Sequence, residues 1–270
     1  MDPVSPDSVV LNPKQEELIF GTVKQFYNES SVAWYKKKGI PFRLGLLFHG
    51  PPGTGKTSTA RVLASILGVN LYIWSPKADM TDGSTSFLFN QLSPRCVVCL
   101  DEMHNLGRNK TGVTEQGLKA AIDGLSSAVG RVVIGMTDSR KQLSNSLTRR
   151  GRFEEIVEFS NATEYQVQKI FTNIFTDELT KPEERDSLSA LATKLSEVLS
   201  DLNVSPAFIV SHLIRHREDP TKAVATAAQS AAAWLEEQAE AKEADAHSDL
   251  LRRAPRVVFR GNRQKVVRGM

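Results

Sequence analysis

Eight residues, Gly50-Pro-Pro-Gly-Thr-Gly-Lys-Thr57, constrain the fold of this 270-residue chain more than any others. They fit the pattern G-x-x-x-x-G-K-[ST] and stand directly between an apolar run, "LGLLF" from Leu44, and a helical pattern that begins at Lys56. Glycines there let backbone N–H groups curl around phosphate oxygens, and the N-terminus of the following helix adds a fixed positive end. Phosphate contacts are expected from Gly50, Pro51, Pro52, Gly53, Thr54, Gly55, Lys56, Thr57 and Ser58. Lys56 is expected to reach the β- and γ-phosphates, and the Thr57 hydroxyl to ligate Mg²⁺.

A strand–loop–helix of this kind belongs in a parallel sheet, and the rest of the chain supplies one. Four further apolar runs read as buried strands: "NLYIW" from Asn70, "CVVCL" from Cys96, "RVVIGM" from Arg131 and "EIVEF" from Glu155. Helical patterns lie between them, which implies right-handed crossovers with helices on both faces. From Thr163 the strand signal stops and helices take over, the last of them, "SPAFIVSHLIRH", with Ser205 as N-cap and Pro206 in its first turn. The expected organisation is an N-terminal segment (1–12), a large α/β domain (13–161), a small all-helical domain (162–235) and a charged helix with a basic tail (236–270). That tail, with seven Lys or Arg and no acid in its last twenty residues, reads as a solvated end.

Composition excludes more than it selects. The net charge of +3 is too small to indicate a nucleic-acid partner, and none is expected. Two cysteines are too few for a disulfide framework. No run approaches the ~18 to 20 apolar residues that a membrane-spanning helix requires, and early acids such as Asp2 and Glu16 argue against a signal peptide or a mitochondrial presequence. The expectation is a soluble chain. Cys96 and Cys99 spell C-x-x-C, but residues three apart in a strand face opposite sides of the sheet, so they read as core thiols.

Two stretches complete the candidate site. "CVVCLDE" is an apolar strand ending in Asp101 and Glu102: Asp101 suits an Mg²⁺ site through the ion's water shell, and Glu102 suits polarising an attacking water. In "MTDSRKQLSNSLTRRGRFE", Asp138 follows a buried strand, where a polar side chain can sense the γ-phosphate. Arg149 and Arg152 come after a "KQLSNSL" segment expected to be helical, which should carry them away from their own phosphate loop.

Together these parts resemble an AAA ATPase, in which the stretch after the fourth strand reads Thr-Asn, five residues, Asp, one, Ala, two, Arg, two, Arg, one, acid. The spacing here runs Thr137, Asp138, Ser144, Ser146, Arg149, Arg152, Glu154, with Asp138, Ser144 and Ser146 replacing the family's Asn, Asp and Ala. Finer features resemble the mitochondrial inner-membrane branch that translocates the folded Rieske protein during respiratory complex III assembly. They are "WYKKKGIPFRLGLLFHGPPGTGKT", Thr81-Asp82, "LKAAIDGL" and "SPAFIVSHLIRHREDPTKAV", so the likeness covers about Val9 to about Val224.

The resemblance implies a P-loop fold with a five-stranded parallel sheet and a helical lid, ATP and Mg²⁺ as ligands, and a homo-oligomeric ring of roughly six or seven subunits acting on a protein client. It implies the matrix side of the mitochondrial inner membrane, with membrane association only through a further N-terminal segment. Family members carry a membrane helix and a specific region ahead of the ATPase domain, so the chain reads as an excised domain or a truncated relative. AAA unfoldases have an aromatic pore loop, whereas "SPKADMTDGSTSFLF" has no aromatic until Phe87, which disfavours threading of an unfolded chain.

Arg149 and Arg152 would then serve a neighbour's nucleotide. An arginine delivered in this way is worth ~10³ to 10⁵ in rate, roughly 4 to 7 kcal/mol. Asp138 points the other way. An aspartate, with a reference pKa of ~3.9, only accepts hydrogen bonds and repels phosphate. Because Lys56, Asp101, Glu102 and both arginines are kept, ATP hydrolysis is expected; Asp138 would slow it unless it turns away, pairs with a cation such as Arg140, or carries a proton. The alternative function is a nucleotide-binding scaffold with little turnover. His104, where most AAA proteins have an acid, reads as a surface contact.

Overall fold

The computed structural model describes residues 5–106, 111–124, 130–177 and 181–253, with side chains to residue 244. The basic tail beyond 253 and Leu125 of the "LKAAIDGL" run lie outside the described residues. By contact density residues 1–231 form one compact unit and 232–270 another.

Strands β1 (Arg43–His49), β2 (Asn70–Trp74), β3 (Cys96–Leu100), β4 (Arg131–Thr137) and β5 (Glu155–Glu158) form one parallel sheet in the order β2-β3-β4-β1-β5. Register brings His49 beside Thr137 and Leu100 beside Gly135, so β1, β3 and β4 end at one edge of the sheet. That edge is where open parallel sheets bind ligands.

Alternation along the strands builds a core on each face. Leu46, Phe48, Val97, Cys99, Ile134 and Met136 pack with α1 (Pro13–Phe26) and α3 (Lys56–Ile66). Leu47, Cys96, Val98, Leu100 and Val133 pack with α4 (Asp82–Asn90) and α5 (Glu115–Gly124). The two cysteines are free, buried, and on opposite faces. Burial pushes the Cys99 thiol far above its ordinary range, so it stays protonated and unreactive.

Helix α1 ends at Phe26, and the Asn28 carboxamide accepts the Ser30 N–H to start a second helix, α2 (Glu29–Lys38), which Gly39 stops in a left-handed conformation. One local reading is corrected. The "KQLSNSL" segment forms only one 3₁₀ turn, Arg140–Gln142, before Leu143 turns extended. Ser144 then spends its hydroxyl on the Leu147 N–H, a side-chain bond that competes with helix propagation.

The remaining helices start on strong caps. α6 (Glu164–Phe175) opens with a capping box between Thr163 and Gln166, α7 (Pro182–Leu199) with Pro182, and α8 (Pro206–Arg215) with Ser205 and Pro206. Helix α9 (Pro220–Arg253) follows, its Ala223, Val224, Ala227 and Ala231 buried. Among the described residues no helix is long and apolar enough to cross a membrane.

Candidate nucleotide site

A cleft of about 990 Å³ opens at the sheet edge where β1, β3 and β4 end. Its floor is residues 52–58; Gly50 and Pro51 of the expected loop lie behind it, and Gly50, Gly53 and Gly55 have φ of 139°, 76° and 100°. Side chains resist these angles, so the turn that points successive N–H groups inward needs glycine. The Gly50 N–H bonds the Thr137 carbonyl, which ties the loop to the end of β4.

Lys56 begins α3 and is almost buried. Its ammonium donates to the carbonyls of Gly50 at 2.5 Å and Pro51 at 2.9 Å, and pairs with Asp138 Oδ1 at 3.3 Å. The cation that Asp138 pairs with is therefore the loop lysine, where the sequence suggested Arg140 as one option. At the end of β1, His49 has its pKa lowered by burial first; Glu158 opposes this, and Arg140 and Lys56 add to it.

Thr57, Asp101 and Glu102 line the same cleft. Glu102 is the one described non-glycine residue with positive φ, at 50°, and its N–H bonds Asp101 Oδ1 at 2.9 Å. A glutamate in a left-handed conformation costs on the order of 1–3 kcal/mol and requires support from its surroundings. Among the described residues no cluster of three acidic, histidine or cysteine side chains could hold a metal alone. Mg²⁺, which keeps most of its waters, would suit such a sparse set, with Thr57 and Asp101 the residues that would hold it once the Thr57 hydroxyl turns from Met136 Sδ, 3.7 Å away. His104, expected as a surface contact, lines the cleft, and its buried Nδ1 has no hydrogen-bond partner among the described residues.

The far wall comes from helices and from the N-terminal segment. Val10, Ile170, Ile174, Val210 and Ile214 give it an apolar face, and Val210 and Ile214, one turn apart on α8, are among the described chain's exposed large apolar residues. Such a face suits a nucleobase. Gln166 donates to the Val10 carbonyl and Asn173 to that of Asp7, pinning the segment against α6. At the floor, the Ala207 N–H bonds the Gly53 carbonyl at 3.0 Å, joining α8 to the phosphate loop. The sequence held one signal for this wall, the i, i+4 apolar pair on α8. It held none for the contact between Ala207 and Gly53.

The two arginines part company. Arg149 and Arg150 are exposed, on a turn that Gly151 completes at φ 91°. Arg152 is 7 % exposed and spends its guanidinium within its own chain: Nε and Nη2 bond the two Asp123 carboxylate oxygens at 3.0 and 2.7 Å, and Nη1 bonds the Ser146 carbonyl. Its hydrogen bonds, ahead of the opposing effect of burial, hold the Asp123 carboxyl below the usual carboxylate range. Within the single chain Arg152 therefore does not reach outward as Arg149 does, since three of its five N–H donors are engaged at home. A Cβ at Gly45 would overlap the Arg152 carbonyl at 1.7 Å, which explains the glycine in β1. Ser144 and Ser146 both donate to Glu115, which also pairs with Lys119. Burial raises the Glu115 pKa, but these donors together bring it below its ordinary value.

The loop, the paired carboxylates and the helical wall have counterparts in known sequences. Residues 46–161 match the family described as "ATPase family associated with various cellular activities (AAA)", and residues 164–229 match "Mitochondrial chaperone BCS1-like, ATPase lid domain". The chain belongs to the AAA ATPases. Its lid is of the BCS1-like type. The chain is 31% identical over 227 residues to the probable mitochondrial chaperone bcs1 of Schizosaccharomyces pombe, covering 80% of this AAA protein and 48% of that one. It is 29% identical to the probable mitochondrial chaperone BCS1-A of Dictyostelium discoideum (82% and 53% covered) and 26% identical to the mitochondrial chaperone BCS1 of Danio rerio (82% and 54%). The AAA chain thus spans about half the length of the curated relatives it matches.

Proposed function

We propose that this chain binds and hydrolyses ATP with Mg²⁺ as one subunit of a head-to-tail ring, and uses the cycle to move or chaperone a protein client in mitochondria, at the inner membrane. The observation that carries the reading is the meeting of Lys56, Thr57, Asp101, Glu102 and Asp138 in one cleft, walled by a BCS1-like lid. The names of the relatives support the chaperone role and the compartment. Helix α4 supports a folded client, since Phe87 is the first aromatic after Trp74 and lies within that helix rather than on a pore loop.

The chain's residues divide the work. Loop N–H groups and Lys56 bind phosphate, Thr57 and Asp101 hold Mg²⁺, and Glu102 orients and deprotonates the attacking water. The metal supplies charge neutralisation between phosphate oxygens. Arg149, exposed on its turn, is the group delivered to the adjacent subunit, and Arg152 fixes that turn through Asp123.

A head-to-tail contact uses one surface at the arginine turn and another at the cleft, so it closes into a ring more naturally than into a two-fold dimer. A second reading, a nucleotide-dependent scaffold with little turnover, is favoured by the ion pair between Asp138 and Lys56. Steady-state ATPase assays decide between them: turnover in wild type that Glu102→Gln abolishes supports the enzyme, and equal negligible rates support the scaffold. Native mass with ATP and Mg²⁺ tests the ring, and a chain that stays monomeric at high concentration removes the role of Arg149.

A further inference from the structure

An ammonium has three N–H donors, and those of Lys56 face three acceptors: the Gly50 carbonyl at 2.5 Å, the Pro51 carbonyl at 2.9 Å and Asp138 Oδ1 at 3.3 Å. A bound phosphate must draw the lysine from at least one of them. The carbonyls are neutral and part of the loop that turns around the phosphates. Asp138 is a carboxylate, its side chain 46% exposed, rooted on β4 rather than in the loop, and it lines the same cleft. Its bond to the lysine is the longest of the three and the only one between formal charges.

Two costs follow when the third phosphate enters. Lys56 is shared between Asp138 and the γ-phosphate, and the carboxylate is left facing an added anion across a partly water-excluded cleft. A diphosphate adds less charge and calls on Lys56 through its β-phosphate alone, so it disturbs the pair less than a triphosphate does. We infer that Asp138 is a specificity-determining residue that makes this site favour Mg-ADP over Mg-ATP by competing with the γ-phosphate for Lys56. The inference rests on the nucleotide-site reading above and adds to it the preference between di- and triphosphate. An exposed cation such as a neighbour's Arg149 would offset the carboxylate, so retention of the triphosphate would depend on assembly. Half-exposure of Asp138 moderates the repulsion, and the preference is set at about tenfold.

Calorimetric titration of the 270-residue chain with Mg-ADP and with the Mg complex of the non-hydrolysable imido analogue of ATP reads the preference without turnover. Wild type should bind ADP about tenfold tighter than the analogue, and Asp138→Asn should bring the two within about twofold by tightening the analogue alone. Asp138→Ala, which removes the charge without adding an amide donor, should shift the ratio in the same direction. A wild-type ratio near one, parallel changes for both nucleotides, or a shift in the Asn variant alone would overturn the inference while leaving the nucleotide site standing. Failure of wild type to bind either nucleotide would overturn both.

Discussion

Two of the aspartate–cation pairs among the described residues, Arg152–Asp123 and Lys56–Asp138, are built to opposite purposes. At the arginine turn, Arg152 is buried and grips Asp123 with two nitrogens at 2.7 and 3.0 Å. At the phosphate loop, Lys56 meets Asp138 through one contact of 3.3 Å. The first is bidentate and backed by the Ser146 carbonyl, and it holds a turn in shape. The second is a point contact at a binding site and has to be rearranged when phosphate enters. Residues of the same charge type thus serve as strut or as competitor, depending on how many bonds hold them and whether a ligand shares their space.

The widest separation is expected from Arg149→Ala. Turnover of the assembled protein should fall about 10³-fold while nucleotide affinity of an isolated subunit stays within about twofold. A matched fall for Arg152→Lys with unchanged melting temperature would break the division, since it would place Arg152 on the nucleotide. Next, Lys56→Ala should weaken binding of the triphosphate by about 10²-fold and of the diphosphate by less, read by the same calorimetry, with the arginine turn untouched. Arg152→Ala is a stability variant. Loss of the bidentate pair, discounted for solvent at the half-exposed Asp123, should cost about 1–2 kcal/mol and lower the melting temperature by roughly 3–6 °C.

The smallest effect is on acid stability. The folded pKa of Asp123 is held below its unfolded value, chiefly by the Arg152 hydrogen bonds. Its contribution is therefore complete above the unfolded pKa of about 4 and disappears as pH falls through the lower folded value. Melting temperature measured from pH 7 down to pH 3 should fall less steeply for Asp123→Asn than for wild type. Equal slopes would show that the pair adds nothing to folding.

Local pattern made much of this legible. "GPPGTGKT" and "CVVCLDE" carry their chemistry in contiguous residues, and five apolar runs coincide with five strands because buried parallel strands need little else. What escaped depends on residues far apart. Lys56 and Asp138 are separated by 82 positions and Arg152 and Asp123 by 29, and neither pair leaves a trace in periodicity. The arginine pattern matched its family in spacing, yet spacing does not say which guanidinium finds a carboxylate at home. "KQLSNSL" has apolar spacing compatible with a helix, and only the bond made by the Ser144 hydroxyl to the Leu147 N–H shows why it turns instead.

The hydrogen bond from the Ala207 N–H to the Gly53 carbonyl makes a lever of α8. Its short arm rests on the residue that shapes the phosphate loop, and its far end carries Ile214 toward the base pocket. One rigid helix therefore touches both the floor of the cleft and its apolar wall, so a change in its seat would be felt at both ends.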